Sequence, residues 1–219
     1  YAGKYSAPDY ECILNEGCNL AIENTMIYHT PEVKEKLEEL GIPVLVERSS
    51  YETHPLGRLE WIKLYGLLFD ALDEANAYFD SQVEQITPLL DQANTGKTVA
   101  FFSVNSSGAI NVRKPGDYIT QMITMAGGVN IMDDPALPWP NPSLESILEA
   151  DPDVILVSGG AEMAQLFLEG EAYQDLSAVQ NGHVYGVDAD MSNRPGPRIV
   201  DSLGEFVTAI NDALAAEEA

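Results

Sequence analysis

Cationic side chains are scarce in this chain, and long apolar runs are missing. Lysine and arginine together number 11 against 35 aspartates and glutamates, a formal net charge of −24. A surface so acidic repels phosphate backbones and anionic headgroups, which argues against nucleic acid and acidic membrane surfaces as partners. No stretch of about 18 apolar residues is present to span a bilayer. Cysteine is reduced to Cys12 and Cys18, which form neither a disulfide framework nor a metal-ligand spacing, so both are expected to be free and mostly buried. The three histidines, His29, His54 and His183, are scattered and make no sequence-local metal motif.

Catalytic signatures are missing too. There is no Gly-x-Ser-x-Gly elbow. Gly96-Lys97-Thr98 imitates the end of a phosphate-binding loop, but Asp91 stands where its first glycine is needed, and the triplet precedes a strand. Among so many carboxylates no pair stands out as acid and base. The expectation is a protein that is not an enzyme and has no cofactor and no metal site.

What is present is a repeat. Tyr10-Glu11-Cys12-Ile13-Leu14 through Asn19-Leu20-Ala21-Ile22 carries the same pattern as Leu144-Glu145-Ser146-Ile147-Leu148 through Asp153-Val154-Ile155-Leu156, 134 positions later (144 − 10) and without a gap. Each reads as a short helix opened by Glu, then an Asp or Asn turn and a buried strand. Gly41-Ile42-Pro43-Val44-Leu45-Val46-Glu47 is echoed by Gly182-His183-Val184-Tyr185-Gly186-Val187-Asp188. Two echoes in the same order predict two related α/β halves, which in such folds usually face each other across a ligand cleft.

Between and around the repeats the chain punctuates itself. Helices are expected over Pro8–Gly17 and Pro31–Leu40, with Thr30 as cap and Gly41 as stop, and strands over Leu20–Glu23 and Pro43–Glu47. Pro55 to Ala93 reads as helical throughout, divided near Gly66 and Asp70–Asp73, with a long second helix over Leu72–Gln92 carrying Ala75, Tyr78, Phe79, Val83 and Ile86 at helical spacing. Trp61 is expected in the core. Val99–Val104 reads as a buried strand with Gly108–Val112 as its hairpin partner. Asp117–Ala126 reads as a helix, Pro135–Pro142 as a loop, Ala161–Leu168 as a helix, Val184–Val187 as a strand and Val200–Ala215 as the last helix. The second half has a strand and helix before its repeat unit that the first half lacks, so the first lobe reads as truncated at its amino end.

With few cations available, the arginines are informative. Arg48 follows a strand, Arg58 opens a helix, Arg113 lies in the turn region after the strand at Val99, and Arg194 and Arg198 follow the strand ending at Val187. Loops at strand carboxyl ends line ligand crevices in parallel α/β sheets, and guanidinium groups there suit a carboxylate, phosphate or other oxyanion. Thr25, Met26, Tyr28, Ser49, Ser50, Tyr51, His54, Asn105, Ser106, Tyr118 and Met191 share those loops. Tyr, Met and Arg together suit a large flat or chelated ligand.

The chain resembles the periplasmic-binding-protein receptors of ABC importers for iron-siderophores, haem and cobalamin, whose two lobes are joined by one long helix. The residues that carry this are Glu11 with Leu20-Ala21-Ile22, Gly41-Ile42-Pro43-Val44, Pro55-Leu56-Gly57-Arg58 with Trp61-Ile62-Lys63, and Met125-Ala126-Gly127-Gly128-Val129-Asn130. Glu145 with Asp151-Pro152-Asp153-Val154-Ile155, and Ala178 through Tyr185, complete the set. The resemblance implies an α/β fold of two Rossmann-like lobes with largely parallel sheets bridged by one helix. The lobes would be an incomplete amino-terminal one over 1–55, a helical region over 56–95 and a carboxyl-terminal lobe over 96–219. It implies an extracytoplasmic receptor, periplasmic or lipid-anchored and monomeric, that binds an iron chelate, haem or corrinoid and docks on its permease through Glu11 and Glu145. The ligand contacts would be Thr25, Tyr28, Arg48, His54, Arg58, Asn105, Ser106, Arg113, Tyr118, Arg194 and Arg198. A molybdate or tungstate receptor, or an α/β enzyme using the same cleft, are the alternatives.

Overall fold

The structure is a computed structural model describing residues 1–90, 93–104, 110–113, 115–135, 137, 142–188 and 199–217. Contacts divide the chain into two compact units, Tyr1–Tyr51 and Glu52–Ala219.

The first unit opens with a small antiparallel ribbon, β1 (Gly3–Lys4) and β2 (Ala7–Pro8). Helix α1 (Tyr10–Asn15) follows, its first turn capped by the Asp9 carboxylate, which accepts the Cys12 N–H at 3.0 Å. Gly17 ends it at φ +69°, and the Cys18 N–H reaches back to the Ile13 carbonyl, the six-to-one bond of a Schellman stop. Strand β3 (Ala21–Asn24) then pairs in parallel with β4 (Val44–Glu47), Ala21 opposite Val44 and Asn24 opposite Glu47. Between them runs α2 (Pro31–Glu39), whose Val33 and Leu37 are buried with Ile27 and Ile42. Tyr10, Ile13, Ala21, Val44 and Val46 pack on this cluster from α1 and from one face of the sheet. Ile22, on the other face, is 38% exposed.

The second unit is a three-layer α/β sandwich. Its sheet has the order β6 (Ile110–Val112), β5 (Thr98–Val104), β8 (Val154–Ser158), β9 (Val184–Val187), with β7 (Val129–Asn130) also on β5. All pairings are parallel except the β5–β6 hairpin. Side chains alternate across a strand, so each of these strands feeds two cores. Val99, Phe101, Val154, Leu156 and Val187 face Ile86 of α5 (Leu72–Leu90), Ile119, Met122 and Ile123 of α6 (Tyr118–Met125), and Leu203, Phe206 and Ile210 of α10 (Ile199–Glu217). Ala100, Phe102, Ile155, Val157 and Val184 face Ile147 of α7 (Leu144–Ala150), Ala164 and Phe167 of α8 (Gly160–Glu169), and Ala178 and Val179 of α9 (Ser177–Gln180). Burial on both faces explains why β5 and β8 read as continuous apolar runs rather than alternating ones. The helical stretch after Pro55 resolves into α3 (Pro55–Glu60), α4 (Ile62–Leu68) and α5, the last two packed together where Gly66 meets Ala75 and Ala71. No helix among the described residues is long and apolar enough to cross a membrane.

Several expectations need correction. Thr30 precedes α2 but makes no side-chain cap; its ψ of 62° leaves Pro31, with its preset φ, to start the helix. Both cysteines are free, but Cys18 is exposed and Cys12 half-buried, because α1 covers a small cluster and not a full core. Trp61 is half-buried: its indole N–H donates to Glu52 Oε1 at 3.1 Å, and it lines a shallow groove with Gly57, Glu60 and Leu64. The second echo is also out of step by one residue. The Ala21 N–H donates to Pro43, two residues past Gly41, whereas the Ile155 N–H donates to His183, one past Gly182.

Candidate functional site

Helix α6 starts where Asp117 accepts the Ile119 and Thr120 N–H groups at 2.9 and 3.0 Å, which fixes Tyr118 at the first helical position. Tyr118 is buried, and the Arg58 guanidinium lies over its ring with Cζ 3.8 Å from the centroid. Arg113, after β6, places its Cζ 5.9 Å from the same ring and 5.8 Å from that of Phe101. Stacking of this kind, on a quadrupole largely removed from water, holds a guanidinium plane in place more firmly than an exposed ion pair does. Arg58 is itself buried, although it comes from α3 and a different stretch of chain. Burial pushes the Asp117 carboxyl above its ordinary range, while the Thr120 and Ile119 amides and the two arginines pull it back. Burial likewise raises the Tyr118 phenol against the lowering influence of Arg113 and Arg58. Two guanidiniums, one carboxylate and one buried phenol make this a locally cationic, aromatic cluster in a chain of net charge −24.

The structure therefore brings together three of the sequence-designated residues, Arg58, Arg113 and Tyr118, from three separate segments. It adds Asp117 and Phe101, which the sequence pattern marks only as a helix start and a strand residue. The Pro-Gly-Asp step before an apolar helix was the available signal for Asp117, since it is an N-cap signature. His54 takes a structural part: its Nδ1 accepts the Leu56 N–H at 3.2 Å and opens α3 ahead of Pro55, fixing the helix that carries Arg58.

In the first unit the parallel pairing puts the carboxyl ends of β3 and β4 side by side at Asn24 and Glu47. From those ends emerge the 3-10 turn Thr25–His29, begun by Asn24 Oδ1 accepting the Met26 N–H, and the turn Ser49–Tyr51, begun by Glu47 Oε1 accepting the Ser49 N–H. Met26, Tyr28 and Tyr51 are exposed there, and Arg48 lies 5.3 Å from the Tyr51 ring. Thr25 is half-buried. Asn105, Ser106, Arg194 and Arg198 lie outside the described residues. Glu11 and Glu145 are both exposed at the second position of α1 and α7. Among the described residues no group of three His, Cys, Asp or Glu side chains is placed to hold a metal ion.

A family model described as periplasmic binding protein matches residues 20–191, and the chain belongs to that family. The vitamin B12-binding protein of Vibrio campbellii is 28% identical over 171 residues, covering 78% of this chain and 61% of that protein. The first curated relatives are spanned over only 61–65% of their length. The crystal structure of the periplasmic vitamin B12-binding protein of Vibrio cholerae superposes with a TM-score of 0.69 at 25% identity, over 97% of this chain and 82% of that one. The periplasmic haem-binding protein of Vibrio cholerae shares the fold with a TM-score of 0.75 at 22% identity, over 95% of this chain and 83% of that one.

Proposed function

We propose that this chain is the solute-capturing receptor of an ABC importer, holding a metal-containing cofactor or chelate outside the cytoplasmic membrane and delivering it to the permease without chemical change. Membership of the periplasmic binding protein family supports the receptor role. The vitamin B12-binding relatives favour a corrinoid over haem or a ferric siderophore. The observation that carries the ligand reading is the Arg58–Tyr118–Arg113 cluster, in which one buried aromatic ring holds two guanidiniums in place. Thr25, Tyr28, Arg48, His54, Asn105, Ser106, Arg194 and Arg198 are further candidate contacts. A small oxyanion such as molybdate would use the same guanidiniums and is the second reading, because the vitamin B12-binding relatives favour a larger ligand. Glu11 and Glu145, one exposed at the start of each repeat helix, are the candidate docking residues for the permease. The receptor is extracytoplasmic, free or lipid-anchored, and monomeric in this reading.

The test is a visible-spectrum titration of the protein with cyanocobalamin, haemin, a ferric hydroxamate and molybdate in parallel. Saturable one-to-one binding of cyanocobalamin, weakened in Arg113→Ala by ~1.5–3 kcal/mol, the range of a charged hydrogen bond, is expected. Binding of molybdate alone would transfer the role to the second reading, and turnover of any ligand would overturn the receptor role. For docking, Glu11→Arg and Glu145→Arg should lower uptake in cells while leaving ligand affinity unchanged, since like charges at a docked interface repel.

A further inference from the structure

Helix α3 lays Arg58 on the Tyr118 ring, yet little in its own sequence holds its start. It has six residues, Pro55 brings no N–H at the first position, and Gly57 at the third costs the most backbone freedom to order. A helix this short is held by packing and capping, not by propensity. Its buried side chains are Pro55, Arg58 and Leu59, and it packs against α4, α5 and α6. The capping comes from one residue. His54 Nδ1 accepts the Leu56 N–H at 3.2 Å, and the His54 carbonyl accepts the Arg58 N–H, also at 3.2 Å. Both of these first-turn bonds end on His54, and one of them starts at the arginine itself.

Histidine differs from the usual Ser, Thr, Asn and Asp caps because its acceptor titrates. A ring nitrogen accepts only while it lacks a proton, and the imidazolium has two donors and no acceptor. Protonation at His54 therefore acts twice in the same direction. It sets a donor against the Leu56 N–H, and it adds positive charge where the first-turn N–H groups already point. Histidine is the side chain that changes charge between about pH 5 and 8, and His54 is exposed to the solvent that would protonate it. The other charged groups nearby are largely committed. Glu52 Oε1 accepts the Trp61 indole N–H, Lys63 of α4 pairs with Glu60, and Asp117 caps α6 beside Tyr118. The remaining titratable groups on the elements packed against α3 are Tyr65 on α4 and, on α5, Tyr78 with the acids Asp73, Glu74, Asp80 and Glu84.

We propose that His54 is a proton-sensitive positioning residue: neutral, its ring caps α3 and keeps Arg58 on Tyr118, and protonated, it gives up the cap and loosens that hold. The consequence for binding rests on the ligand reading above, in which affinity falls as pH falls. Because Nδ1 is committed to Leu56, this role runs through Arg58. Burial of Pro55 and Leu59 keeps α3 in place as a whole, so the change is graded, on the scale of one lost cap.

Hydrogen exchange on the free protein tests the device without any ligand. Expressed as protection, which removes the intrinsic pH dependence of exchange, the Arg58 N–H should lose about fivefold between about pH 7.5 and 5.5, the effect of one cap on a local opening equilibrium. His54→Asn keeps a capping acceptor that does not titrate and should hold its protection at both pH values. His54→Ala lacks the acceptor throughout and should match the acid wild type at both. Cyanocobalamin titration should follow the same pattern, with wild type about fivefold weaker at the lower pH, His54→Asn flat and His54→Ala weak at both. Unchanged Arg58 protection in wild type, the same pH dependence in His54→Asn, or cyanocobalamin affinity in wild type that does not change with pH would overturn the proposal. The expected exchange pattern without cyanocobalamin binding at either pH would support the His54 device and count against the ligand reading alone.

Discussion

From Asp9 to Ile22 and from Ser143 to Leu156 the chain makes the same local structure twice with very different surroundings. The caps correspond: Asp9 accepts the Cys12 N–H and Ser143 the Ser146 N–H. So do the stops, Gly17 at φ +69° and Asp151 at φ +35°. Burial differs sharply. Ile147 is 1% exposed and Leu156 1%, while Ile13 is half-buried and Ile22 is 38% exposed. The second copy feeds a strand flanked by β5 and β9 and covered on both faces; the first feeds a strand that pairs with β4 alone among the described residues. Cap, periodicity and stop are short-range properties and travel with the sequence, whereas burial is conferred by neighbours that each copy does not encode.

The comparison is tested first at its apolar centre. Ile147→Ala opens a cavity between α7 and β8 and should cost ~2–5 kcal/mol, the range for a fully buried aliphatic side chain. Ile13→Ala, already partly hydrated, should cost about 1 kcal/mol by scaling the transfer term to its burial. Urea unfolding of both variants measures this, and equal losses would mean that the first copy is buried in solution as deeply as the second.

The second test concerns the turn. Asp153 accepts from the Thr98 N–H and hydroxyl, both at 2.7 Å, tying the start of β5 to the start of β8, and Lys97 stands 3.5 Å away. Burial would raise this carboxyl, but the Thr98 hydrogen bonds and Lys97 outweigh it and hold it below its ordinary 3.8. A depressed acid stabilises above its unfolded value and loses that contribution as pH falls through the folded one. Asp153→Asn should therefore cost about 1 kcal/mol near neutral pH, discounted for its partial exposure, with the difference from wild type shrinking below pH 3.8. Asn19, its counterpart, is exposed, and Asn19→Ala should flatten no acid limb. Asp117 has the opposite sign. Burial raises it, so its contribution is present below its unfolded value and fades as pH rises through the folded one.

These particulars show where sequence reading succeeds. The β5–β6 hairpin, α5 and β9 were predictable because apolar period and Gly, Asn or Pro breaks act over a few residues. The Arg58–Tyr118–Arg113 cluster was legible only as a set of loop cations, since nothing local says that α3 will lay a guanidinium on a ring 60 positions later (118 − 58). The half-burial of Trp61, bonded to Glu52, and the cap that His54 supplies were not legible for the same reason. Each has two plausible environments, and tertiary packing chooses between them.

The caps supply the third test. Asp9→Ala and Ser143→Ala each remove the acceptor for an N–H of the first turn and should cost ~1 kcal/mol apiece. Similar costs despite unequal burial would confirm that capping is local. A cost confined to Ser143 would show that α1 is held by packing on the Ile27–Leu37 cluster.

The smallest effect is expected at the stops. Gly17 occupies the left-handed region without penalty, whereas Asp151 does so as a non-glycine residue, a strain of about 1 kcal/mol. Asp151 offsets it with its side chain: Oδ1 accepts the Ser177 N–H at 2.8 Å and Oδ2 the Ser177 hydroxyl at 2.6 Å, so that the residue ending α7 also opens α9. Asp151→Gly relieves the strain but deletes both bonds, each worth about 1 kcal/mol net at an exposed site, so the change should be within ~1 kcal/mol of zero and on the destabilising side. Asp151→Ala keeps the strain and loses the bonds, and should be worse than Asp151→Gly by the strain alone. Measuring both by urea unfolding isolates the backbone term as their difference. A glycine variant more stable than wild type would show that Ser177 finds an equal partner elsewhere, and that the two stops differ in residue type without differing in work.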